Sequence, residues 1–474
     1  MVMSMFFLPA GRSAENPWKD RVVPALAALE KRPSVENYAR ALDAAFRADD
    51  WETGLRLADQ ARSKFPRARK LAGLVLRAYW RAGRLDQALA LAEKVTADSA
   101  DRVALRCAIE VALARGNWQR ATQLARRLEK LRPRSTAEYF AVLEVRLARQ
   151  ELAGLADELR KACKLVDPAN GYPDIYLAEM LAGLPEFFEQ IGAQPINQVT
   201  RFGQVPMPQL MALQLPYCEA TINGQGPYRL VIDTGGSITL SLDEEVARDL
   251  GLKSLGSAPI RGVGGTQMSQ QALVERLELG SIECRRVMTR WFAMPEMMKG
   301  LADGIIGTGI FGDARLTFDF AQAQLRVARS GPPPTGVATL PLLVVADGKL
   351  IVTGRIEGQP ATALLDSGAQ VVAFSPLTLK RLFPDQQPTS LQVAGAGVGQ
   401  GEATGLTLGP GADLELWGRK FDNYSGIGLQ VLDDTLSPII GVQIDVLVGM
   451  PVFREMRTWT VDYPTRKMWL EWLE

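Results

Sequence analysis

The chain has 474 residues, is 47% hydrophobic, carries a formal net charge of +1 and contains no histidine. That length predicts more than one domain with room for real cores, and the near-zero charge gives no footprint for nucleic acid. The missing histidine excludes Ser-His-Asp and Cys-His nucleophilic systems and His-Glu-x-x-His zinc sites, so carboxylates are left as the plausible catalysts. Cys107, Cys163, Cys218 and Cys284 form no Cys-x-x-Cys pair, which argues against structural zinc, and they read as buried thiols.

Residues 1–10 are apolar, too short to span a bilayer, and lack the positive start of an export signal. No integral membrane segment is expected. Cytoplasmic placement is favoured, with export through a weak N-terminal signal as the alternative. Residues 16–184 have helical texture, rich in alanine, leucine, arginine and glutamate with apolar positions three and four apart. Trp51, Leu85, Trp118 and Leu152 recur at steps of about 34 residues, each predicted to open a helix after a polar or glycine turn. Small residues follow at matching offsets in three units, Gly54 and Ala58, Ala88 and Ala92, Ala121 and Ala125, whereas the fourth has Leu155 and Leu159. Pro66, Pro133 and Pro168 close several units. This pattern resembles a tetratricopeptide-like (TPR-like) α-solenoid. The resemblance implies a concave surface for a protein partner or extended peptide; Trp51 and Trp118 are expected to be packing residues. Residues 185–206 read as a linker.

The remainder reads as a tandem duplication, 207–330 and 337–474, joined through Gly331-Pro332-Pro333-Pro334. Leu230-Val231-Ile232-Asp233-Thr234-Gly235-Gly236-Ser237 recurs as Ala363-Leu364-Leu365-Asp366-Ser367-Gly368-Ala369-Gln370. In each copy a run suited to a buried strand ends on a carboxylate, a small hydroxyl residue and a turn-permitting glycine. Ser241 and Ser375 are each expected to cap a short helix, with Pro376 at a first helical position. A glycine-rich hairpin tip follows in each half, containing Gly262, Val263, Gly264 and Gly265, then Gly397, Val398 and Gly399. Asp303-Gly304-Ile305-Ile306-Gly307 matches Asp445-Val446-Leu447-Val448-Gly449, and Phe311 and Phe453 follow at equal spacing. Thr317-Phe318-Asp319-Phe320 pairs with Thr460-Val461-Asp462-Tyr463. The Gly-x-Gly-x-x-Gly at Gly307–Gly312 precedes no helical pattern and is a false dinucleotide signal.

This order of elements resembles the aspartic peptidases, and most closely the retropepsin-like branch, over a little more than the C-terminal half. The fold expected is therefore multidomain, α plus all-β: an N-terminal α-solenoid followed by a two-lobed retropepsin-like β-barrel protease. The resemblance implies Asp233 and Asp366 as a catalytic pair acting on a peptide or protein substrate without metal or cofactor. Two carboxylates a few ångströms apart share a proton, one taking a proton from water while the other hydrogen-bonds the substrate carbonyl. It further implies that Thr234 and Ser367 brace the loops across the lobes, that Gly235 and Gly368 offer backbone donors, and that the glycine-rich hairpins are flaps. Gly236 departs from the family pattern, Ala369 fits it, and neither hairpin has a flap tyrosine. The rival reading is a non-catalytic peptide-binding scaffold that keeps the protease fold.

Overall fold

The computed structural model describes residues 16–262, 265–393 and 403–473, and divides into two units. One, residues 16–185 with 437–443, is helical; the other, residues 186–436 and 444–473, is β-rich.

The helical unit runs α1 (Lys19–Lys31), α2 (Val35–Arg47), α3 (Trp51–Lys64), α4 (Arg69–Arg81), α5 (Leu85–Ala92), α6 (Arg102–Ala114), α7 (Trp118–Lys130), α8 (Thr136–Ala148), α9 (Leu155–Cys163) and α10 (Asp174–Met180). Ser34, Asp50, Asp101, Asn117 and Ser135 cap α2, α3, α6, α7 and α8, each side chain accepting from a backbone N–H in the first turn. Helices α2, α4, α6 and α8 pack in succession on one another, while α3 packs against α2 and α4, and α7 against α6 and α8. That is the contact pattern of stacked helix pairs. The small residues sit where the pairs approach: Gly54, Ala58, Ala88, Ala92, Ala121 and Ala125 are all buried. Trp51 is buried as a packing residue, while Trp118 is only half-buried. The fourth unit departs from the predicted start. Gly154 takes a left-handed conformation (φ 69°) and α9 opens at Leu155 rather than Leu152, so Leu155 and Leu159 supply the packing edge. Residues 437–443, expected within the second lobe, group with the helices: the Tyr172 hydroxyl donates to Pro438 O (3.1 Å) and Gln443 N to Arg81 O (2.8 Å).

The segment read as a linker carries ordered structure instead: α11 (Leu184–Ile191), β1 (Gln198–Arg201) and β2 (Gly203–Pro206). Its strands pair with partners far away in sequence, which local composition does not reveal. The first lobe continues with β3 (Gln209–Leu210), β4 (Leu215–Ile222), β5 (Gln225–Asp233), β6 (Leu240–Asp243), α12 (Glu244–Asp249), β7 (Gly256–Gly262), β8 (Gly265–Leu279), β9 (Ile282–Phe292), β10 (Gly304–Gly307), β11 (Ala314–Asp319) and β12 (Gln324–Arg329). The second holds β13 (Leu340–Pro341), β14 (Leu343–Val345), β15 (Lys349–Ile356), β16 (Gln359–Leu365), β17 (Ala373–Phe374), α13 (Pro376–Leu382), β18 (Thr389–Val393), β19 (Ala403–Leu416), β20 (Arg419–Leu429), β21 (Val446–Val448), β22 (Met456–Asp462) and β23 (Lys467–Trp472).

Among the described residues, each lobe has its own sheet, ordered β1-β9-β6-β10-β5-β4-β8-β7 and β14-β15-β16-β21-β17-β20-β19-β18. A third sheet, β13-β23-β22-β11-β12-β2, takes strands from both. In it β11 and β22 run antiparallel with Thr317 opposite Thr460, the pair made by the duplicated Thr-x-Asp motifs, and their hydroxyls lie 2.9 Å apart. Trp459 stacks on Phe453 (4.6 Å) and Phe318 (5.0 Å) beneath this seam. Among the described residues no helix is long and apolar enough to cross a membrane.

Candidate active site

Two strands aim the acids. β5 is buried on both faces through Leu230, Val231 and Ile232, and runs parallel to β10, so that Gly307 lies opposite Asp233. β16 repeats this with β21, Leu365 lying opposite Val448 one residue before Asp366. The acid that opens each of β10 and β21 fastens the pair: Asp303 accepts from Arg229 N (2.7 Å) and Asp445 from Thr362 N (2.9 Å). Asp445 also accepts from the Thr378 hydroxyl (2.6 Å) and from Arg381 (3.0 Å). The Ile-Ile-Gly and Leu-Val-Gly segments thus lie beside the two acid loops, as their matching positions imply.

The loops after the acids meet across the lobes in a reciprocal set of hydrogen bonds. Thr234 N donates to Ser367 Oγ (3.0 Å) and Ser367 N to Thr234 Oγ1 (2.9 Å). The Thr234 hydroxyl donates to Leu365 O (3.0 Å) and the Ser367 hydroxyl to Ile232 O (2.8 Å). Both side chains are buried, so each hydroxyl satisfies two backbone groups that water does not reach.

Asp233 and Asp366 are themselves buried, at 1% and 0% exposure, and brought together by this cradle. Gly236 N donates to Asp233 Oδ1 (2.8 Å) and Gly368 N to Asp366 Oδ1 (2.9 Å). A Cβ on Gly368 would stand 2.6 Å from the Asp233 carboxyl carbon, so the second loop lies against the first acid and only glycine fits there. Gly236 has the same logic in milder form, its imagined Cβ lying 3.2 Å from both Asp233 Cγ and Gly307 Cα. Burial pushes Asp233 above the ordinary aspartate value, opposed by hydrogen bonds with Asp366, Gly236 and Gly235 and by the charge of Lys349.

Gly262 and Gly265 face each other as the last register pair of the β7–β8 hairpin. Val263 and Gly264, and Gly397, Val398 and Gly399, lie outside the described residues. Ser375 caps α13, accepting from Thr378 N (3.1 Å). Ser241 does not cap: Asp243 opens α12, and Ser241 lies buried in β6, accepting from Arg290 Nε (2.9 Å). Arg290 itself, with Lys349 and Asp347, belongs to none of the duplicated motifs. The available signal was an arginine inside the apolar run of β9 and a lysine opening the apolar run of β15.

Residues 218–310 and 352–452 match the family model described as aspartyl protease. No curated protein matches the chain. Among solved structures it is similar to a retropepsin-like aspartic protease from Rickettsia conorii, at 16% identity, covering 28% of this chain and 90% of that one, with a TM-score of 0.20. Each matched segment carries one of the duplicated acid loops, Asp233 in the first and Asp366 in the second.

Proposed function

We propose, from two lobes built to the aspartyl protease pattern, that the protein is an aspartic endopeptidase whose catalytic pair is Asp233 and Asp366. The observation that carries this reading is the reciprocal bracing by Thr234 and Ser367, which joins the two loops that bear the buried carboxylates. Carboxylates so held ionise one at a time. The charged partner takes a proton from an attacking water as its oxygen bonds to the scissile carbonyl carbon. The protonated partner donates to the carbonyl oxygen as it gains charge, and the departing amine then takes a proton from the pair. Gly235, Gly236 and Gly368 keep the carboxylates aimed through their backbone, with no covalent enzyme intermediate. An extended peptide lying across the pair would be covered by the hairpin of Gly262 and Gly265 and by its counterpart in the second lobe. The helical unit serves to recruit substrate or a protein partner, or to govern access.

The test is cleavage of an unstructured peptide library by the full chain between about pH 3 and 7, the window of a shared-proton pair. Asp233→Asn and Asp366→Asn should each abolish cleavage. Cleavage surviving either substitution would reject the composite site.

A further inference from the structure

The two acids do not have equivalent surroundings. Arg290, 1% exposed, donates from Nε to Ser241 Oγ (2.9 Å) and from Nη2 to Ser237 Oγ (3.0 Å), and Ser237 lies four residues after Asp233. Lys349, also 1% exposed, reaches Asp347 Oδ2 (3.4 Å), and Asp347 Oδ1 accepts from Ile238 N (3.5 Å) in the same loop. Two buried cations are therefore built against the Asp233 loop.

The duplication allows a position-by-position comparison. Ser241 lies opposite Ile305 of β10, and Ala373 opposite the matching Leu447 of β21. Arg290 stands beside Ser241, and by the pairing of Phe374 with Gly428 its counterpart is Ile427. Lys349 precedes Ile351, which pairs with Leu364, just as Leu215 precedes Tyr217, which pairs with Val231. The mates of Ser241, Arg290 and Lys349 are thus Ala373, Ile427 and Leu215, all uncharged and apolar.

We infer that the pair is electrically lopsided: Asp233 bears its negative charge and Asp366 its proton, with Lys349 and Arg290 as positioning residues that set this order. This deepens the peptidase reading and rests on it for its catalytic meaning, since it makes Asp233 the base toward water and Asp366 the donor toward the carbonyl. Charge balance points the same way. Arg290 and Lys349 contribute two positive charges, and Asp347 plus one ionised member of the pair contribute two negative ones. A doubly protonated pair leaves a buried positive charge, and a doubly ionised pair a negative one, both costly for groups this deeply buried. The charged or titratable groups around Asp233 are Asp366, Lys349, Arg290, Asp347 and Tyr463, with Arg466 beyond Tyr463. The Tyr463 hydroxyl lies 2.7 Å from Thr308 Oγ1, and burial holds it neutral.

The test is carboxyl-carbon NMR titration of the full chain labelled at aspartate, with Asp233→Asn and Asp366→Asn to assign the resonances. The first ionisation step with rising pH should fall mainly on the Asp233 resonance and the second on Asp366. Lys349→Met should raise the midpoint of the first step by about one pH unit, the size expected for one nearby charge, and Lys349→Arg should restore it. Asp347→Asn should move it down. A first step falling on Asp366 overturns the inference, as does a midpoint indifferent to both Lys349→Met and Asp347→Asn. Should Lys349→Met not fold, Asp347→Asn decides by the sign of its shift. The readout needs no turnover: the expected order in a chain that cleaves nothing defeats the peptidase reading, and a reversed order in an active chain defeats only this inference.

Discussion

Replacing Thr234 by valine keeps the shape of the side chain and removes its hydroxyl. The loss falls on two buried backbone groups at once: Ser367 N–H loses its acceptor (2.9 Å) and Leu365 C=O its donor (3.0 Å). Ser367 and Leu365 are both at 0% exposure, so water does not replace the hydroxyl. Each stranded group costs about 1–3 kcal/mol, so Thr234→Val should destabilise the lobe pairing by roughly 4 kcal/mol. Thr234→Ser keeps both bonds and deletes one methyl, for about 0.8 kcal/mol. Because the chain has two units, bulk unfolding is not two-state, and hydrogen exchange of the β5 and β16 amides in the full chain is the appropriate assay. Exchange should quicken there in the valine variant and stay near wild type in the serine variant, with kcat falling in parallel for valine alone. Equal exchange in both variants would refute the hydroxyl's assigned work.

Three further outcomes follow from the geometry. Gly368→Ala drives a methyl to 2.6 Å from the Asp233 carboxyl carbon and should cut kcat/KM at least about a hundredfold, whereas Gly236→Ala, with contacts no closer than 3.1 Å, should cost far less; steady-state kinetics separates the two. Asp445→Ala removes the acceptor of Thr362 N, the Thr378 hydroxyl and Arg381 together and should destabilise the second lobe by about 3 kcal/mol, measured by exchange in β16 and β21. Half-buried Glu144 is pushed up to about 8, first by burial and then by Glu110 beside it. Its folded value lies above the unfolded one, so the protonated form favours folding: the contribution is full below about pH 4.5 and is lost as pH rises toward 8. Glu144→Gln should therefore leave exchange in α8 unchanged at low pH and slow it above pH 8, by about 2 kcal/mol allowing for partial exposure.

The parts legible in the sequence were those fixed by neighbours along the chain. The two Asp-Thr/Ser-Gly turns, the apolar runs entering them, the Ser375-Pro376 helix start and the duplicated Thr-x-Asp strands could each be read within a few residues. What escaped depends on pairing across long stretches. Residues 185–206 look like a linker because β2 finds its partner β12 more than a hundred residues on, as Leu325 opposite Val205 shows. Ser241 resembles a cap by spacing, yet its hydroxyl is claimed by Arg290 from β9, while Asp243 two residues later takes the capping role. Lys349 and Arg290 carry no local sign that they converge on one loop. In the helical unit the repeat was visible, but the left-handed turn at Gly154 moved the fourth start from Leu152 to Leu155.

The most direct measurement is a crystal structure of the full chain with a peptide analogue bearing a secondary hydroxyl in place of the scissile bond. The composite site predicts that hydroxyl within hydrogen-bond reach of both the Asp233 and Asp366 carboxylates, with the analogue extended beneath the hairpin of Gly262 and Gly265. An analogue bound away from the pair, or held against one carboxylate only, would contradict it.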